Sequence, residues 1–210
     1  MSETKPRIRD ADATKARILA AAKSEFASAG LAGARVDKIA EKARANKRMI
    51  YHYFGGKEQL FRVVLEEAYL DIREAEQALQ LDQLPAREAL EKLVSFTWQY
   101  YLENPEFITL VNSANLHKAR HIAGSKRLKV AARRLVDMVS GILERGVDEG
   151  VFRPNVDPVQ LNITIAAIGY YYLTNRYTGA ILFERDYMAE KALNKRLEFN
   201  IDTIMRLVLA

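Results

Sequence analysis

The chain has 210 residues, five of them Pro and none of them Cys, and 49% are hydrophobic. A packed core is therefore within reach, in one medium domain or in a small domain on a larger one, while disulfide frameworks and thiol catalysis are excluded. Residues 1–57 carry 13 Lys and Arg against 6 Asp and Glu, a balance of +7, whereas residues 58–210 carry 19 against 21, a balance of −2.

Residues 1–11 are polar and charged and read as a flexible arm. A first helix is expected from about Thr14 to Ala29, capped by Asp12 or Thr14, with Ile18, Ala22 and Phe26 as its buried stripe and Gly30 as its stop. A second spans about Asp37 to Ala43, with Ile39, Ala40 and Ala43 inward. The third runs from about Lys47 to Tyr53. Ile50, Tyr53 and Phe54 recur at spacings of three and four and face the core, which leaves Lys47, Arg48, Tyr51 and His52 outside. Gly55-Gly56 ends it.

A fourth helix follows from Lys57 to about Leu79, with Leu60, Val64, Ala68 and Ile72 as its stripe. Pro85 opens a fifth helix, through Glu103, and Pro105 a sixth. HIAGS (121–125) is a break. Three more helices are read at about Lys126–Asp148, Pro158–Tyr177 and Met188–Leu209. No Gly lies between Lys57 and Ala123, as long uninterrupted helices require. The expectation is an all-α chain of about nine helices. Residues 1–56 would form a three-helix helix-turn-helix domain with its arm, and residues 57–210 a helical bundle.

A basic surface is most often a solvated face, so charge alone is a weak pointer to nucleic acid. Its coincidence with a two-helix corner makes it a strong one. The first turn of such a third helix enters the major groove. Arg48 is the expected base reader, since its planar fork matches guanine, and Lys47 the expected phosphate contact. Lys57 begins the fourth helix, where its charge and the terminal N–H groups can hold a phosphate.

ILAAAKSEFASAG (18–30), VDKIAEKA (36–43) and IYHYFGGKEQLF (50–61) resemble the TetR (tetracycline-repressor) family of transcriptional regulators. The resemblance implies an N-terminal DNA-binding domain and a C-terminal domain for ligand binding and dimerisation. It makes Tyr51 and His52 similar to the family's phosphate-contacting aromatics. Arg35 and Val36 stand where Thr is common, and Arg35 is either a charged substitute for that contact or merely solvated. Asn46, at the corner, completes the DNA-facing set. The sequence departs from the family at Arg44, where Gly is usual; a positive φ there would cost about 1 kcal/mol or somewhat more. ENPEFITLVNSANLHKARHI and GYYYLTNRYT look similar to a subset near the pyrimidine-utilisation regulators.

The same resemblance implies a ligand cavity among the fourth to eighth helices. Its candidates are Trp98, Tyr101, Phe107, Asn112, Asn115, Tyr170, Tyr171 and Asn175. Aromatics at helical spacing are usually ordinary core, and the three Asn carry more weight because a buried amide needs partners. His117 and His121 have the spacing of two metal ligands on one helix face, but no carboxylate sits among them and Lys118 and Arg120 would repel a cation. A solvated pair is expected, with no metal and no cofactor.

The last two helices are apolar beyond the need of one buried face, at Ile163, Ala166, Ala167 and Tyr170 and at Leu197, Ile201, Ile204 and Val208. A homodimer explains that excess. The expected function is a ligand-responsive regulator, most simply a repressor, which binds a double-stranded, pseudo-palindromic DNA operator and is released by a small-molecule effector. An activator or an architectural protein without an effector is the alternative. An enzyme is not expected, because neither a nucleophile–base pair nor a metal cluster stands out. No run approaches the roughly 18 apolar residues of a membrane span, and MSETKPRIRDADATK lacks the apolar stretch of a secretory signal. The expected compartment is the cytoplasm.

Overall fold

The computed structural model describes the backbone of residues 5–210 and the side chains from Asp10 onward. The chain is helical, with α1 at Lys5–Gly33, α2 at Val36–Lys42, α3 at Lys47–Phe54 and α4 at Lys57–Gln77. A short 3-10 turn, Leu81–Gln83, precedes α5 at Ala86–Glu103 and α6 at Pro105–Leu116. Then come α7 at Lys126–Asp148, α8 at Pro158–Thr174, α9 at Arg176–Leu182 and α10 at Glu190–Val208.

Ten α-helices thus stand among the described residues where the sequence reads as nine. The extra one arises at Asn175, whose backbone (φ −100°, ψ 12°) leaves the helical path and splits the expected eighth helix. At the other end of the chain, residues 1–4 of the expected arm lie outside the described residues, and the helix already runs at Lys5. Thr14 is no cap. Its hydroxyl donates to the Asp10 carbonyl at 2.8 Å, an i to i−4 bond inside the helix. Gly30 does bend the chain as expected (φ 65°, ψ 175°), and a short helical stretch resumes after it.

The chain forms two compact units. The first runs to Leu70 and includes Pro105–Leu128; the second comprises Asp71–Asn104 and Lys129–Ala210. In the first unit Ile18, Ala22 and Phe26 of α1 are buried as the spacing requires, with Ile39 and Ala40 of α2, Ile50 of α3 and Leu60, Phe61 and Val64 of α4. Phe26 and Phe61 meet edge to face, ring centres 5.1 Å apart. Helix α6 packs along α1, and the Leu31 amide just past the bend donates to Ser113 Oγ at 3.2 Å.

The core of the second unit joins α5, α7, α8 and α10 through residues such as Leu90, Leu93, Val139, Ile142, Ile165, Ile204 and Val208. Asp157 caps α8, accepting from the amides of Val159 (2.8 Å) and Gln160 (3.2 Å), and Pro158 fills the first turn. The Phe152 ring packs against Gly146, so that no Cβ fits at that position of α7. No helix among the described residues is long and apolar enough to cross a membrane.

Candidate nucleic-acid interface

The corner between α2 and α3 is built by backbone bonds that two turns of sequence suffice to specify. Arg44 has φ 48°, in the left-handed region. The Arg44 amide donates to Glu41 O (3.0 Å) and the Ala45 amide to Ala40 O (3.0 Å). These are the paired bonds of a Schellman stop, with Arg where Gly is the low-cost residue. The unusual corner therefore keeps the ordinary turn and carries strain, rather than being reshaped. Arg17 of α1 braces it, its Nε donating to Ala43 O at 3.2 Å and its Nη2 to Thr14 Oγ1 at 2.9 Å.

Asn46 caps α3, its side-chain oxygen accepting from the Arg48 amide at 2.9 Å. The helix closes on Gly55 in the left-handed region (φ 80°). Between these ends Ile50 is fully buried, Tyr53 and Phe54 are half-buried, and Arg48, Tyr51 and His52 are exposed, Tyr51 by 49%. Lys15 of α1 lies over the Tyr53 ring, 5.4 Å from its centre. Arg35 is exposed at the head of α2, and its backbone amide, not its guanidinium, is tied down, donating to the buried Glu25 carboxylate at 3.2 Å. Val36 is half-buried beside it.

Two of the expected phosphate contacts have intramolecular partners. The Lys47 ammonium lies 2.7 Å from Asp37 Oδ1, linking α3 to α2. This hydrogen bond and ion pair hold the Asp37 carboxyl below the usual range and raise the lysine above it. Lys57 donates to the carbonyls of Ala32 (3.3 Å) and Ala34 (3.2 Å), closing the strand of chain between α1 and α2. Sequence reasoning missed Asp37, Arg17 and Ser113, because each acts on a partner far away in the chain or in another helix. Only the i+10 spacing of Asp37 and Lys47 offered a local hint.

The expected effector residues fall in both units. Phe107, Asn112 and Asn115 belong to the first unit; Trp98, Tyr101, Tyr170, Tyr171 and Asn175 belong to the second. Trp98 (3% exposed) and Tyr101 (5%) are buried against Gly169, and Trp98 also meets Tyr172 edge to face. Tyr170 packs near Tyr101 at 6.3 Å, while Tyr171 is 70% exposed. The buried-amide premise does not hold. Asn112 and Asn115 are exposed, and the half-buried Asn175 spends its amide on Tyr171 O and Thr174 Oγ1. The His117 and His121 pair is not solvated either. His117 Nδ1 is 2.8 Å from Ser113 O, and His121 packs edge to face on Phe61. Burial, then the neighbouring Arg120 charge, hold the His121 imidazole below its ordinary pKa. No group of three metal-ligating side chains occurs among the described residues.

The family model "Bacterial regulatory proteins, tetR family" matches residues 18–64, and "Tetracyclin repressor-like, C-terminal domain" matches residues 85–204. The chain belongs to the TetR family. It is similar to the HTH-type transcriptional repressor NicS of Pseudomonas putida, 36% identical over 204 residues, which cover 97% of this chain and 96% of that protein. The HTH-type transcriptional regulator RutR of Escherichia coli is a more distant relative, at 27% identity over 80% of this chain and 78% of its own. Among solved structures, the transcriptional regulator SCO4942 of Streptomyces coelicolor superposes with a TM-score of 0.70 at 26% identity, over 93% of this chain and 98% of that one. The corner described above is thus the helix-turn-helix of a DNA-binding transcriptional regulator of the TetR family.

Proposed function

We propose that this TetR-family protein is a repressor that binds a pseudo-palindromic operator as a homodimer and is released by a small-molecule effector. One observation carries the reading: α3 is pinned at both ends and by Ile50, and it presents Arg48, Tyr51 and His52 on one exposed face. Arg48 reads a base edge, while Tyr51, His52, Arg35 and the spare donors of Asn46, Lys47 and Lys57 meet phosphates, with Val36 packing against the backbone. Two copies of α3 then enter successive major grooves about 34–36 Å apart. The effector acts in the C-terminal bundle, and α4, continuous from Lys57 to Gln77, carries its effect to the reading head. A coupling of about 1–3 kcal/mol suffices for a fivefold to hundredfold loss of operator affinity.

The experiment is footprinting upstream of the neighbouring genes, followed by anisotropy titrations of wild type and Arg48→Ala on the protected site and on random DNA. Arg48→Ala is expected to lose about 1–3 kcal/mol on the operator and much less on random DNA. Equal losses on both would remove Arg48 from base reading. Protection of no defined site would favour an architectural role, and a reporter that falls when the gene is deleted would mark an activator.

A further inference from the structure

Arg44 stands just past the Ala43 cap of α2 and two residues before the Asn46 cap of α3, at φ 48°. That backbone strains any residue with a Cβ, and the turn itself asks only for Gly. Strain of this kind persists where the side chain gains something the turn does not need. Inside the chain Arg44 gains nothing. Its side chain is exposed and makes no hydrogen bond, ion pair or ring contact among the described residues. The neighbouring cations differ. Arg17 is bound to Ala43 O and Thr14 Oγ1, Lys42 Nζ donates to Ser24 Oγ at 2.9 Å, and Lys47 pairs with Asp37. Arg44 thus adds an uncompensated charge to a corner already rich in cations, an arrangement that only an anion makes favourable. Its root is also fixed. The amides of Arg44 and Ala45 are bound to α2, and Arg17 holds the carbonyl of Ala43. A side chain that starts from an ordered backbone loses less freedom when its end is captured.

We propose that Arg44 is a further DNA-binding residue, whose guanidinium holds a backbone phosphate at the rim of the groove that α3 enters. The first helix of a helix-turn-helix crosses the DNA backbone, and the second lies in the groove. A residue on the corner between them passes the phosphates that wall the groove, whereas base edges fall to the first turn of α3. The planar guanidinium can meet two oxygens of one phosphate. The assignment rests on α3 entering the major groove, and the test below judges the two separately.

The test is fluorescence anisotropy with the full chain, on a short duplex of random sequence and on the footprinted operator. It compares the parent with Arg44→Gly, Arg44→Ala and Arg44→Lys. Gly relieves the backbone and Ala keeps it strained, so Arg44→Gly should melt above the parent and Arg44→Ala should not. Both should nonetheless lose affinity alike, by about tenfold for each bound copy and by the same factor on both duplexes, as loss of one phosphate contact requires. Arg44→Lys keeps the charge and should stay within about threefold of the parent. Parent-like affinity in Arg44→Ala would overturn the proposal. So would a loss confined to Arg44→Gly, which would trace the effect to a loosened corner. A loss confined to the operator, or Arg44→Lys as weak as Arg44→Ala, would overturn the phosphate assignment. A parent chain that binds neither duplex would remove the groove reading itself, whereas differences among the variants bear on Arg44 alone.

Discussion

At Glu76, burial outweighs the neighbouring Arg73, and the sign of a pH effect follows. The carboxyl moves from its ordinary 4.5 to about 7 in the folded chain. Between those values the unfolded chain has released the proton and the folded chain still holds it. Stability from this group is therefore complete below about pH 4.5 and is lost as pH rises through about 7. Glu76→Gln keeps an acceptor for Arg73 and cannot ionise. Its unfolding free energy should match the parent near pH 4.5 and exceed it by on the order of 1–3 kcal/mol at pH 8. Urea titrations across that range check it, and parallel profiles would mean that Glu76 titrates as an ordinary carboxylate.

The corner between α2 and α3 shows what an element asks of one residue. Arg44 holds a left-handed φ that Gly adopts freely. Arg44→Gly should raise stability by about 0.5–1 kcal/mol, read as a higher urea midpoint with an unchanged slope. A lower midpoint would mean that the arginine side chain contributes more than its backbone strain costs. The turn was legible in the sequence as a Gly-shaped position filled by Arg, and α3 was legible from the spacing of Ile50, Tyr53 and Phe54. Periodicity could not show the break at Asn175, because the apolar pattern runs through it and only a local backbone rotation divides α8 from α9. Nor could it show the Arg17 bond to Ala43 or the Ser113 bond to Leu31, which join residues 26 and 82 positions apart. The burial of Glu76 was missed for a related reason. The sequence drew attention to aromatics, and the structure uses most of them as core.

For the whole molecule, the apolar excess of the last helices divides in two. Ile204 and Val208, expected at a dimer face, are buried in the protomer core, whereas Val159 and Ile163 on α8 and Phe199 and Leu207 on α10 are exposed. An exposed set of this kind is what a self-complementary interface covers. Ile163→Lys should leave the helical signal and melting of the protomer nearly intact and weaken self-association by at least about tenfold, since one charge would be buried unpaired. Sedimentation against concentration measures it, with operator affinity falling in step. Unchanged association would move the interface elsewhere.

The Lys47–Asp37 pair has a consequence for ion stoichiometry. Were Lys47 to leave Asp37 for a phosphate, DNA would release a counterion while the abandoned carboxylate drew one from solution. The two nearly cancel, so a salt titration of operator binding would undercount the phosphates neutralised by about one. Asp37→Asn removes the offset, and its plot of log affinity against log salt should be steeper by just under one unit. A slope equal to the parent's would show that Lys47 neutralises no phosphate even when Asp37 no longer holds it.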